Sequence, residues 1–239
     1  MESSYTFESL PEGREGTVSN SLMDRIEVYR QNHVRIRTCG RDIHIDPFMT
    51  DSAQDGSGRA DIILITHDHY DHFSPKDIER TACGGTVLVV PENMKDKAKE
   101  AGRYVREIVT VKPNENYVIE GLEFETVPAY NILKPFHPKK AGWVGYIIKA
   151  EGKRVYVAGD TDATPEAMAV KCDIALVPVG GTYTMNAKEA AGLVNTIRPE
   201  IAVPVHYGRV VGSPKDGAKF ADAVNKNTKV ILKINTEEK

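Results

Sequence analysis

Cysteine is scarce and scattered in this 239-residue chain. Cys39, Cys83 and Cys172 are odd in number and form no CxxC pair, which excludes a disulfide framework and a thiolate zinc site and suits a reducing cytoplasm. Long apolar runs are missing too. No stretch approaches the ~18 residues that span a bilayer, and residues 1–20 are polar with no apolar signal segment, so neither a membrane location nor standard export is expected. Neither sign of charge prevails: 31 basic residues against 34 acidic ones leave a net charge of -3. That balance gives no global footprint for nucleic acid or an anionic membrane, so a small-molecule substrate is the expected partner. The chain also lacks a G-x-S-x-G elbow, a cysteine near a histidine, an internal repeat and a Gly/Ser linker longer than Asp51–Arg59. Side-chain nucleophile signatures are therefore absent, and a single domain over 1–239 is the simplest organisation, with residues 1–20 of unassigned role. Oligomeric state leaves no mark.

What is present is ample core material, 41% hydrophobic and 27% charged, with strands in the majority. Asp24–Ile45 alternates with period two, as a half-buried meander requires. Further β-branched runs occupy Ile62–Ile65, Thr86–Val90, Ile108–Val111, Tyr117–Ile119, Leu122–Val127, Val144–Ile148, Arg154–Ala158, Ile174–Val177, Ile201–Val205 and Lys229–Ile234. Helices are marked by their caps: Ser74-Pro75 begins one to Thr81, Pro91 to Gly102 bounds a second, Asn186 with Glu189 opens a third that Arg198-Pro199 ends. Thr164-Pro165 and Pro214 start two more. Strand blocks with interspersed helices predict a layered α/β (α+β) architecture.

The chemistry concentrates where the run Ile62–Ile65 gives way to Thr66-His67-Asp68-His69-Tyr70-Asp71-His72. Three histidines and two aspartates in six residues at a strand end bring imidazoles and a carboxylate together, a donor set for a divalent cation. The four other histidines are His33, His44, His137 and His206. His33 and His44 fall on polar phases of the meander and are expected to be exposed. Gly159-Asp160-Thr161 and Pro204-Val205-His206 also end apolar strands.

The His67-x-His69-x-Asp71-His72 run, with Gly159-Asp160-Thr161 and Pro204-Val205-His206 downstream in order, resembles the metal-binding signature of the metallo-β-lactamase superfamily. The segments VPAYN, GGTYTM and PVHYG are similar to a branch of small bacterial metal-dependent hydrolases, more distantly related to ascorbate-phosphate lactonases and N-acyl ethanolamine phospholipase D-like enzymes. The resemblance implies an αββα sandwich of two mixed sheets flanked by helices. It also implies two divalent ions, one held by His67, His69 and a third histidine, the other by Asp71, His72 and His206, with Asp160 bridging. The position usual for the third histidine reads Val127-Pro128-Ala129-Tyr130-Asn131, so His137 is assigned that place.

A donor set of imidazoles and carboxylates suits zinc by default, and also Mn²⁺ or Fe²⁺. Hydrolysis of a small ester, lactone or phosphoester follows, with Asp71 and Asp160 as catalytic carboxylates orienting water and relaying its proton. A nuclease or phosphodiesterase of the same fold is the alternative, and it would need a positive channel that the charge balance does not suggest. For substrate binding, Tyr183 in the Gly180-Gly181-Thr182-Tyr183 turn is either an oxyanion donor or a turn residue. Lys134, Lys139, Lys140 and Arg209 are either an anion site or a solvated rim, and Phe136 and Trp143 either an apolar wall or core. Asp46 and Asp61 are candidates to orient ligand imidazoles, Asp61 equally a strand-start cap.

Overall fold

A computed structural model describes residues 21–50 and 60–234; residues 1–20 and the Asp51–Arg59 loop lie outside the described residues. The first sheet runs in chain order through β1 (Ile26–Val28), β2 (Val34–Thr38), β3 (Arg41–Ile45), β4 (Ala60–Leu64), β5 (Ala82–Pro91) and β6 (Glu107–Val111). Its pairings are antiparallel up to β3 and parallel from there on. The second sheet comprises β7 (Asn116–Ile119), β8 (Leu122–Pro128), β9 (Val144–Ala150), β10 (Lys153–Val157), β11 (Ile174–Pro178), β12 (Ile201–Val205) and β13 (Lys229–Val230). It changes from antiparallel to parallel at β10. Both sheets are mixed, and helices α1 (Pro75–Thr81), α2 (Pro165–Met168), α3 (Ala187–Ile197) and α4 (Asp216–Ala223) flank them.

The side-chain pattern of β4 shows why the layers form. Ile62 and Leu64 enter a core shared with Ile36, Ile43, Tyr146 and Ile148 between the sheets. Ile63 and Ile65 point the other way, into a cluster with Leu88, Val90, Ile78 of α1, Ala98 and Ala101. A parallel strand covered on both faces needs an unbroken apolar run, and each such Ile or Leu contributes about 1.5–3 kcal/mol by burial. On the second sheet α3 supplies Ala190, Ala191, Leu193, Val194 and Ile197 to the core. The Asn186 side chain accepts from the N–H groups of Lys188 and Glu189, and Glu189 accepts from Asn186 N–H in return, a reciprocal cap that fixes where α3 begins.

Three expectations change. The predicted Pro91–Gly102 helix folds as two 3₁₀ stretches, Glu92–Met94 and Lys97–Tyr104. Ala98 and Ala101, three apart, are the residues the second stretch buries, and that spacing stacks them on one face at three residues per turn. The last strand stops at Val230. His33 and His44 are buried rather than exposed, at 0% and 2% exposure. Their rings bond at 3.0 Å, and His44 lies 3.3 Å from Asp42, which is paired with Arg35. A polar strand phase can be covered when its groups satisfy one another. Among the described residues no helix is long and apolar enough to cross a membrane.

Candidate metal centre

The chain turns from strand to loop at Ile45 (β3), Leu64 (β4), Pro128 (β8), Val157 (β10) and Val205 (β12). The segments beyond these ends carry Asp46, then His67 to His72, then His137, then Asp160 and His206, so one edge of the sandwich collects every assigned ligand. Three groups of donor atoms lie within 4.8 Å of one another: His67, His69 and His137; His67, His72 and Asp160; Asp71, His72 and His206. All are buried except His69, which is half-buried.

Asp160 stands between the groups. Its Oδ2 lies 3.3 Å from His137 Nε2 and 3.9 Å from His67 Nε2. Its Oδ1 lies 3.3 Å from His206 Nε2 and 3.4 Å from His72 Nε2. Asp71 Oδ2 is 3.4 Å from His206 Nε2 and 3.8 Å from His72 Nε2. Imidazole nitrogens also face one another, His67 Nε2 and His69 Nδ1 at 3.1 Å, His72 Nε2 and His206 Nε2 at 3.1 Å. His137 Nε2 and Asp160 Oδ1 are buried with no hydrogen-bond partner among the described residues, a state that costs free energy unless another group completes it. The residues fit a pair of divalent cations on these observations.

Charge adjusts accordingly. Burial opposes ionisation of Asp160, yet His206 and His72 hold it well below the ordinary carboxylate value. Asp71, against the same burial and aided by its hydrogen bond from His206, is held at about 2. Burial pushes His67 well down, with His72 adding to it, and His69 down with His137 adding to it. His72 goes the other way, to about 9, because Asp160 and Asp46 outweigh its burial.

The candidate ligand rings are held from behind. Asp46 Oδ2 meets His72 Nδ1 at 2.7 Å and accepts from Asn32 Nδ2 at 2.7 Å and Thr66 Oγ1 at 2.6 Å, while Oδ1 accepts from Thr66 N–H at 2.8 Å. Asn131 Oδ1 pairs with His137 Nδ1 at 2.9 Å, and Asn131 N–H donates to the His137 carbonyl at 2.7 Å. A ring whose Nδ1–H is taken presents Nε2 to a metal. The VPAYN segment therefore supplies the clamp for the histidine it lacks. Asp61 has no part in this: it accepts from Asp42 N–H at 2.8 Å, and β3 and β4 are parallel, so it sits at the far end from His67. There it ties β4 to β3 and also pairs with Arg41 at 3.6 Å.

Sequence reading missed Gln31, Asn32 and Asn131. Gln31 and Asn32 sit in the turn between β1 and β2, fully buried. Gln31 Nε2 donates to Asp71 Oδ2 at 3.2 Å, and its carbonyl accepts from His206 N–H at 2.8 Å. The signal was there in part: a turn reading Arg30-Gln31-Asn32 is polar without a charged residue at its tip. Three of the left-handed non-glycine residues lie here as well. Gln31, Asp46 and His206 have φ of 53°, 47° and 58°, a left-handed conformation that costs of order 1 kcal/mol and is kept where surroundings dictate it. Gly180 permits the last of these, since a Cβ there would stand 2.3 Å from the His206 carbonyl. The close approach allowed by the Gly180-Gly181 turn is to the protein's own backbone.

A cavity of about 420 Å³ opens over the ligands, lined by His69, Tyr70, Asp71, Phe136, Asp160, Tyr183, His206, Val210 and Val211. Tyr183 packs edge-on to Phe136 at 4.6 Å. Trp143 is buried, with ring centroids about 5 Å from His67 and His69, beneath the imidazoles and not in the wall. Of the basic candidates, Lys134 is paired with Asp162 and, at 3.9 Å, Glu189. It lines a neighbouring cavity of about 380 Å³. Lys139 pairs with Glu166 at 2.6 Å. Arg209 is half-buried and lines neither cavity.

Two mixed sheets meeting in such a donor cluster define a protein of the metallo-β-lactamase fold. The profile of the beta-lactamase superfamily domain matches residues 25–206. A UPF0173 metal-dependent hydrolase of Methanopyrus kandleri is 31% identical over 76% of this chain and 83% of its own. A crystal structure from Parabacteroides distasonis, named for an inferred metal-dependent hydrolase, superposes with a TM-score of 0.75 at 31% identity, over 88% of this chain and 93% of that one. The metallo-beta-lactamase fold protein YhfI of Bacillus subtilis shares the fold alone, at TM-score 0.67 and 8% identity over 85% of this chain and 88% of that one. The chain belongs to the beta-lactamase superfamily and, within it, to the UPF0173 metal-dependent hydrolase family.

Proposed function

We propose that the chain is a dinuclear metal-dependent hydrolase of a small ester, lactone or phosphoester. His67, His69 and His137 hold one divalent ion, Asp71, His72 and His206 the other, and Asp160 bridges them. The observation that carries this reading is the division of Asp160: Oδ2 faces His137 and His67, whereas Oδ1 faces His206 and His72. Zinc is the default ion for these imidazole and carboxylate donors, which also suit Mn²⁺ or Fe²⁺. Bound there, two such cations supply Lewis-acid polarisation of the substrate oxygen and a water acidic enough to lose its proton near neutrality.

The chain's own residues do the rest. Asp71, fixed by the Gln31 amide and kept ionised at neutral pH, orients the water and relays its proton. Asp160 stays ionised and keeps the two histidine groups in register. The water oxygen bonds to the acyl or phosphoryl centre, the bond to the leaving oxygen breaks, and that oxygen takes the proton Asp71 carried. Asp46, Thr66 and Asn131 hold the rings against rotation throughout.

Elemental analysis of protein purified without chelator tests the reading. About two equivalents of metal per chain are expected, falling in Asp160→Ala and in His137→Ala. One equivalent unaffected by His137→Ala would make the site mononuclear, and none after reloading with Zn²⁺ or Mn²⁺ would end the hydrolase reading.

A further inference from the structure

Large hydrophobic side chains exposed among the described residues number ten; four of them, Tyr70, Phe136, Tyr183 and Val210, line the metal cavity, and Ile132 and Leu133 line the neighbouring one. Leu133 is 94% exposed and Tyr70 66%. Exposure of isolated apolar residues is ordinary, but a contiguous group beside a cleft marks a binding surface. Val211 joins those four in lining the metal cavity. Its wall above the ligands is thus aromatic and aliphatic, and the same side chains continue outward onto the surface.

Of the four cations that would favour an anionic substrate, Lys134 and Lys139 are engaged elsewhere, and Lys140 and Arg209 lie outside the lining of the cavity. Lys134 is held by Asp162 and Glu189, and Lys139 by Glu166. Arg209 lies outside the lining while its neighbours Val210 and Val211 form it. Resting on the hydrolase reading above, we propose that the substrate is a carboxylic ester whose uncharged, apolar acyl group lies against Phe136, Tyr183, Tyr70 and Val210, with the ester carbonyl over the Asp71–Asp160 floor. Hydrolysis forms the bond from water oxygen to acyl carbon, breaks the bond from acyl carbon to alkoxy oxygen, and releases the alcohol and a carboxylate with its proton.

The experiment compares p-nitrophenyl acetate, butyrate, hexanoate and hemisuccinate with p-nitrophenyl phosphate and bis(p-nitrophenyl) phosphate, on metal-loaded protein with chelator-treated blanks. Each methylene that reaches the wall is expected to raise kcat/KM about two- to fourfold, the upper figure being full burial of one methylene. Hexanoate should exceed hemisuccinate at least tenfold. Phe136→Ser and Val210→Ser, with metal content unchanged, should flatten that dependence to under twofold per methylene. Calorimetry on the metal-free protein should show hexanamide binding at least tenfold tighter than acetamide. A flat or falling chain-length series, or a preference for hemisuccinate or either phosphate ester, overturns the proposal while leaving the hydrolase reading in place. A steep series that both serine variants retain also overturns it. Hydrolysis of none of the six by fully loaded protein overturns the proposal and the hydrolase reading together.

Discussion

Replacing Asp46 by Asn turns one acceptor oxygen into an NH₂ donor and changes almost no volume, so it isolates what this carboxylate does for the metal centre. Asp46 is fully buried and accepts at both oxygens. Oδ1 must remain an oxygen, because Thr66 N–H has no other orientation open to it at 2.8 Å. The new amide NH₂ therefore takes the Oδ2 place, facing His72 Nδ1 at 2.7 Å, Asn32 Nδ2 at 2.7 Å and Thr66 Oγ1 at 2.6 Å. Asn32 can flip and the Thr66 hydroxyl can rotate to accept. His72 can accept only by moving its proton to Nε2, the nitrogen that faces His206 and Asp160. A protonated Nε2 cannot ligate, so either the new hydrogen bond or the metal bond is lost. Outer-partner changes of this kind cost about 10- to 100-fold in metal affinity, which is about 1.4–2.7 kcal/mol. The assay is competition for Zn²⁺ against a chromophoric chelator, with the fold checked by near-UV circular dichroism of the metal-free form. Asp61→Asn is the control, since Asp61 accepts from Asp42 N–H and pairs with Arg41 at 3.6 Å, both at the other end of β4. Wild-type affinity in a well-folded Asp46→Asn protein, or an equal loss in Asp61→Asn, would refute the reasoning.

Asn131→Ala removes the acceptor for His137 Nδ1 and should weaken the ion at His67, His69 and His137 by about tenfold, lowering metal content after dialysis toward one equivalent, with no change in the Asp71 group. Gly180→Ala drives a methyl to 2.3 Å from the His206 carbonyl; backbone must shift on both sides, so urea denaturation should show a loss of about 1–3 kcal/mol, accompanied by weaker metal binding. Burial, with His44 and Arg35 adding to it, holds the His33 imidazole well below 6.5, so the unfolded chain binds a proton there before the folded one does. Stability of the metal-free protein is then complete above about pH 6.5 and falls as pH drops toward the lowered folded value; His33→Gln should flatten the pH 7 to pH 5 dependence of the urea midpoint, and an unchanged slope would remove His33 as its source.

The elements that sequence made legible share one property: their signal is local. Ser74-Pro75, Thr164-Pro165 and Asn186 with Glu189 cap α1, α2 and α3 where expected, because a cap is decided within four residues. His67, His69, Asp71 and His72 are legible because a strand end compresses them into six residues. What was not legible is paired over long separations. Gln31 meets Asp71 forty positions away, and a polar turn residue looks the same whether it faces water or a ligand. His33 and His44 were misread because each is covered by the other, His33 at the end of the β1–β2 turn and His44 on β3. Asp46 and Asp61 look equivalent in sequence, each at an end of an apolar run. The parallel pairing of β3 with β4 sends them to opposite edges, a distinction that only the register supplies.

The β1–β2 turn connects these threads. Gln31 and Asn32 leave it side by side, one reaching Asp71 and the other Asp46, which holds His72. The Gln31 carbonyl meanwhile takes the N–H of His206 from the opposite sheet. Three ligands of one proposed ion, two from the first sheet and one from the second, are thus tied to a single turn in which Gln31 itself has φ of 53°. Such a turn fixes the separation of the two sheets at the point where Asp160 must reach both histidine groups. Gln31→Ala would free the Asp71 carboxylate while leaving the backbone bond to His206, so its effect should fall on the proton-relaying step and spare metal content. A fall in kcat of about tenfold with metal content retained is the expected result, tenfold corresponding to about 1.4 kcal/mol, at the low end for a hydrogen bond to a charged group, about 1.5–3 kcal/mol. Loss of metal instead would mean that the turn's side chain, and not its backbone, holds the site together.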